Sequence, residues 1–145
     1  MQHVITVAED CAGLGTATVA LRRDARRVTR KTGMGFKIEA LYASEKDDAL
    51  RNFLKARWAN NNHKNVDSAE AGSSDKGNKL FGTDGQVTLY VGGTECQPFS
   101  NMGRNAGKKD ERSETMRDAI AFVSKRKPKV FILEQVKNIT SKTHK

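Results

Sequence analysis

Strand-like and helix-like segments alternate along this chain, and the first strand runs into a Gly-x-Gly turn. Val4–Ala8 is a β-branched run and predicts a strand. Gly13 and Gly15 follow it. Ala17–Lys31 predicts a helix, with Val19, Ala20, Ala25 and Val28 set among arginines, and Gly33 and Gly35 stop it. Phe36–Ala43 predicts a second strand. Lys46–Trp58 predicts a second helix, with Leu50, Phe53, Leu54 and Arg57 at helical spacing. Residues 60–85 are polar and rich in Gly, Ser, Asn and Asp, which predicts an exposed loop hiding a short third strand near 64–66. Gln86–Val91 predicts a fourth strand stopped by Gly92 and Gly93, and Asn101–Lys109 a Gly-rich basic loop. Glu111–Lys125 predicts a third helix and Lys129–Leu133 a fifth strand, introduced by Pro128.

This alternation predicts a parallel sheet of the doubly wound α/β type, with helices on both faces. Such sheets bind ligands at the carboxyl ends of their strands. Gly13 and Gly15, Glu45, Cys96 and Glu134 all fall at such ends, so one shared cleft is expected. The glycines let the backbone turn tightly and approach a ligand. Glu45 can accept hydrogen bonds from ribose hydroxyls. The third glycine of a dinucleotide fingerprint is replaced by Thr18, and the distance from Gly13 to Glu45 exceeds the usual spacing of about 20 residues. From these residues alone an ordinary tight turn and a nicotinamide-type site both stay open. Cys96 lies in a Gly-rich loop just past a strand. It is either a nucleophile, acting as the thiolate, or a small buried thiol.

The net charge is +9. Positive charge gathers at Arg22, Arg23, Arg26, Arg27, Arg30 and Lys31, then around Arg104, Lys108, Lys109, Arg112 and Arg117, then from Lys125 to Lys145, where Glu134 is the only acid. Such an excess suits a polyanion partner or a solubilising surface. Two cysteines make no disulfide framework, so a reducing compartment is expected. The opening residues lack a cationic region followed by a long apolar core, and no apolar run is long enough to cross a bilayer. The expected location is intracellular: cytoplasmic for a bacterial chain, nuclear for a eukaryotic one.

Gly92-Gly93-x-x-Cys96-Gln97-Pro98-Phe99-Ser100 resembles the catalytic motif of the cytosine-C5 DNA methyltransferases. Cys11-Ala12-Gly13-Leu14-Gly15, followed by Thr16, is similar to their cofactor turn, and Ser44-Glu45-Lys46 to their ribose-binding acid and its neighbours. Asp110-x-Arg112, then Lys127-Pro128-Lys129-Val130 and Glu134-Gln135-Val136-Lys137-Asn138, resemble the stretch from their catalytic loop to their glutamate motif. The resemblance implies a Rossmann-like methyltransferase fold that uses S-adenosyl-L-methionine. It implies that Cys96 attacks C6 of a flipped cytosine and that Glu134 protonates N3. Residues 11–16, Glu45 and Lys46 are expected at the cofactor, with Asp67 near its adenine and Asp75 and Asp84 as rivals. Gln97, Ser100, Arg104, Lys108, Lys109 and Arg112 are expected at the nucleic acid.

The chain departs from the family pattern at several points. Glu95 stands where proline precedes the cysteine, which loosens the backbone and sets a carboxylate beside the attacking thiolate. Gln135 stands where the family carries asparagine. The usual aromatic at Cys11, glycine at Thr16 and carboxylate near Thr88 are missing. The family's arginine-bearing motif, target-recognition region and terminal helix have no counterpart. The expectation is therefore a partial catalytic domain, ending after about the fifth strand and inactive alone unless a second chain completes it. An RNA cytosine methyltransferase relative and a non-catalytic cofactor- or nucleic-acid-binding remnant are the alternatives.

Overall fold

The computed structural model describes residues 2–59, 87–99 and 113–140. Four strands form one parallel sheet: β1 (Gln2–Asp10), β2 (Gly35–Ala43), β3 (Leu89–Gly93) and β4 (Val130–Glu134), in the order β2-β1-β3-β4. Helix α1 (Thr16–Thr32) joins β1 to β2, α2 (Asp48–Ala59) follows β2, and α3 (Glu114–Arg126) precedes β4. The expected Rossmann-like architecture is present. The third strand expected near 64–66 lies outside the described residues.

Side-chain alternation along the strands builds two cores. On one face, Val7, Ile38 and Leu89 pack against Leu21 and Ala25 of α1, while Ala40 and Ala43 pack against Leu54 of α2. On the other face, Ala8, Tyr42 and Tyr90 pack against Ala119 and Phe122 of α3. Phe122 is fully buried and stacks on Tyr90, with ring centroids 4.7 Å apart. β1, β2 and β3 thus have helices packed on both faces, whereas Val130, Phe131 and Ile132 of the edge strand β4 stay exposed.

Tyr42 reaches the α3 face only because the β1–β2 register shifts between Val7 and Ala8: Val7 pairs with Ala40, but Ala8 pairs with Tyr42. The extra residue, Leu41, reverses the alternation beyond it. Ala43 then turns toward α2, and the chain leaves β2 beside the end of β1.

The strands are longer or displaced relative to their local signals. β1 gains both ends because Gln2 pairs with Gly35 and Asp10 with Gly92. β3 runs through the two glycines expected to stop it. Gly92 lies between Asp10 and Leu133, where a Cβ would meet Leu133 Cδ2 at 3.0 Å and the Tyr90 ring at 3.3 Å. Glycine at this position marks crowding rather than a turn. α3 starts at Glu114, three residues later than its sequence signal. Among the described residues no helix is long and apolar enough to cross a membrane.

Candidate active site

The carboxyl rim is built first by two buried acids that end β1. Gly15 is the N-cap of α1, with φ 70°, and has no side chain to cap the helix. Glu9 supplies the missing acceptor: Thr18 donates to it through both its backbone N–H and its hydroxyl. Burial nonetheless dominates and pushes the Glu9 carboxyl above its usual range, while the Thr18 bonds and Arg22 pull it down. Asp10 faces the other side. It accepts from Ser44 Oγ at 2.6 Å and from Tyr90 Oη at 2.5 Å, which ties the ends of β1, β2 and β3 together.

The glycine turn is fixed against the end of β2. Cys11 N–H donates to Ser44 Oγ at 3.3 Å and Ala12 N–H to Ser44 O at 2.8 Å. Gly13 N–H donates to Glu45 Oε2 at 2.8 Å, and Asp47 N–H donates to the other oxygen at 3.0 Å. Gly13 (φ 54°) and Cys11 (φ 53°) are both left-handed, a conformation that costs a non-glycine residue about 1 kcal/mol or more. The Cys11 thiol is pushed up to about 12, chiefly by burial and then by Asp10, Glu45 and Glu95. It is held in the neutral form.

A small pocket of about 150 Å³ opens here, lined by Cys11, Ser44, Glu45, Lys46, Glu95 and Thr115. Whole ligand sites usually measure about 300–1,000 Å³. The pocket has room for a sugar-sized group, and the Glu45 carboxylate lines it. Lys46 Nζ and Glu95 Oε1, 2.5 Å apart, join the β2 end to the loop after β3. That loop is anchored twice more. Glu95 N–H donates to Thr115 Oγ1 at 3.3 Å, and Gln135 Nε2 donates to Thr94 Oγ1 at 3.0 Å and to Glu95 O at 3.2 Å.

Cys96 follows this clamped residue and is half-buried. Pro98, in the single turn Gln97–Phe99, is fully buried and holds the loop down, while Gln97 is exposed. Glu134 ends β4 in register with Gly93 and is exposed. The side chain at this end of β4 that bonds the cysteine loop is Gln135. Leu14 and Thr16 point outward, and Ala12 packs on the α2 core. Asp67, Ser100, Arg104, Lys108, Lys109 and Arg112 lie outside the described residues.

Glu9, Asp10, Thr94 and Thr115 escaped the sequence reading. The signal for the first two was available: consecutive acids at the end of a β-branched run point to opposite faces of a sheet.

A parallel sheet with a glycine turn after its first strand and an acid after its second has the layout of a Rossmann-like fold. The sequence places it more closely. Residues 5–145 match the C-5 cytosine-specific DNA methylase family, and the chain belongs to that family. It is similar to the type II methyltransferase M.AluI of Cellulosimicrobium cellulans, with 34% identity over 73 residues, half of this chain and 14% of that enzyme. It is also similar to M1.ScrFI of Lactococcus lactis subsp. cremoris, with 28% identity over 120 residues, 78% of this chain and 27% of that enzyme. M.HgiCII of Herpetosiphon aurantiacus is 43% identical over 51 residues, 35% of this chain and 12% of that enzyme. The matches span only a small part of the length of these curated relatives.

Proposed function

We propose that the protein methylates C5 of cytosine in DNA, with S-adenosyl-L-methionine as donor. The observation that carries the reading is the 2.8 Å bond between Gly13 N–H and Glu45. It joins the glycine turn to the ribose acid beside the loop that bears Cys96. Glu45 and the backbone of residues 11–16 would hold the donor, which supplies an electrophilic methyl group when bound.

The chain's own groups perform the rest. The Cys96 thiolate adds to C6 of a cytosine taken out of the base stack, and Glu134 gives a proton to N3, so that the addition leaves C5 nucleophilic. C5 accepts the methyl group as the donor's sulfonium leaves as a neutral thioether; the C5 proton then passes to solvent, the C6–S bond breaks, Cys96 leaves as the thiolate and N3 returns its proton to Glu134. Lys46 balances the Glu95 carboxylate that would otherwise repel that thiolate. Gln135 fixes the backbone immediately before it.

The test is transfer of label from methyl-tritiated donor to a cytosine-containing duplex. The chain is assayed alone and with the unmatched remainder of the Lactococcus lactis relative supplied in trans. The expected result is incorporation into duplex DNA in the supplemented reaction, abolished by Cys96→Ser. Donor binding is measured separately by equilibrium dialysis and should weaken at least about tenfold in Glu45→Ala. Donor binding without incorporation in either reaction would sink the catalytic reading, and labelling of cytosine in RNA in preference to DNA would transfer it to another substrate.

A further inference from the structure

A second charged feature of the molecule runs along the flank of α1. Arg22, Arg26 and Arg30 recur every four residues on α1, and with Arg23 and with Arg57 of α2 they line an open groove of about 950 Å³. Val19 and Phe36 lie between them. The groove starts near the head of α1 and runs toward its last turn, so it leads away from the cleft at the strand carboxyl ends. Leu21 and Ala25 pack inward on the sheet, which turns the neighbouring arginines out along the flank of the helix.

Each of the two helices carries a single acid. α1 has one acid, Asp24, which pairs with Arg27 at 3.4 Å; α2 has one, Asp48, which pairs with Arg51. Neither of those arginines lines the groove. Burial, Arg57 and Arg26 all pull the Arg22 guanidinium below its usual range, and only Glu9 opposes them. Like charges thus lie close together along the groove, and a bound polyanion would relieve their repulsion.

We propose that this groove docks the phosphate backbone of duplex DNA, as a second contact separate from the catalytic cleft. The choice of DNA rests on the proposed function. The form of the site argues for an extended polyanion. Residues four apart on a helix rise about 6 Å, so Arg22 to Arg30 spread charge over about 12 Å. An open groove of that length matches a line of phosphates better than one small anion.

The test is binding of the full chain, without methyl donor, to a fluorescent duplex of A·T pairs only. The probe contains no cytosine, so binding is read apart from catalysis. Arg26→Ala/Arg30→Ala should lower the slope of log affinity against log salt by about 2, at about 0.9 per phosphate contact, and weaken binding at 0.1 M salt by at least about tenfold. Arg26→Lys/Arg30→Lys should keep most of the slope. An unchanged slope in the alanine variant would overturn the proposal. So would binding polyglutamate or an RNA hairpin more tightly than the duplex, or displacement by inorganic phosphate beyond an ionic-strength-matched chloride control. If the alanine variant loses binding while methyl transfer is never seen, the groove stands and the catalytic reading falls. If transfer is seen and the variant binds normally, the reverse holds.

Discussion

Lys46 Nζ lies 2.5 Å from Glu95 Oε1, so the residue after the proposed ribose acid is paired with the residue before the proposed nucleophile. Glu95 is the chain's departure from proline, and its carboxylate is compensated from the end of β2, across β1 in the sheet. This pair raises the affinity of the Lys46 ammonium for its proton through the hydrogen bond and charge of Glu95. Lys46→Ala should leave the carboxylate unopposed beside Cys96. In a Cys11→Ser background, alkylation of Cys96 by iodoacetamide should slow by about 1.4- to 5-fold at low ionic strength, since such pairs contribute about 0.2–1 kcal/mol. The difference should vanish near about 0.5 M salt. Equal rates at low salt would show that the lysine does not screen the thiolate.

Glu45 holds two backbone N–H groups, from Gly13 and Asp47, on its two oxygens. Glu45→Ala should destabilise the chain by about 1–3 kcal/mol in urea titration, because both donors lose their acceptor. Gly13→Ala tests the turn itself. A Cβ there would meet nothing within 4 Å, so the loss should come from the φ of 54° alone, about 1 kcal/mol. A cost above about 3 kcal/mol would point to a collision that the structure does not contain.

Gln135 is one methylene longer than the family asparagine, and that length lets its amide reach both Thr94 Oγ1 and Glu95 O. Gln135→Ala should cost about 1 kcal/mol. Gln135→Asn should recover little of it, because the shorter side chain cannot span the same gap. In the methyl-transfer assay both variants should lower kcat more than they raise the KM for donor. A KM effect alone would place Gln135 at the cofactor rather than behind the nucleophile.

Stability should fall in alkali. Cys11 titrates at about 12 when folded, against an ordinary 9.0. Between these values the unfolded chain releases a proton that the folded chain keeps, so stability is fully present below about pH 9 and declines toward pH 12. Burial shifts the Tyr42 and Tyr90 hydroxyls upward as well, which steepens the decline above their ordinary 10.0. Cys11→Ser removes the thiol's share. Its midpoint in urea should change less between pH 8.5 and pH 10 than that of the parent chain, and identical pH dependence would contradict the assignment.

The existence and order of the described elements were legible because each carries a complete local signal. Val4–Ala8 is β-branched, α1 is amphipathic over four turns, and Gly33 closes it in the left-handed conformation that favours glycine. The glycine turn and Glu45 were legible as a pair because strand ends in a parallel sheet share one rim. The ends of β1 and β3 were not, since pairing partners rather than local propensity set them. Gly92 was read as a stop, yet it lies within a strand because Leu133 and Tyr90 crowd it from the next strand and its own.

The chain's order of residues determined an alternating α/β fold, a family, and the strand ends at which chemistry could gather. Tertiary structure alone decided which side chains meet there. The shift at Leu41 aims Tyr42 at α3 and Ala43 at α2, Glu9 caps a helix whose own N-cap is glycine, and Lys46 finds Glu95 forty-nine residues away. Such contacts depend on register and on burial of charge. Both are set by every strand at once, and neither is written in any single segment.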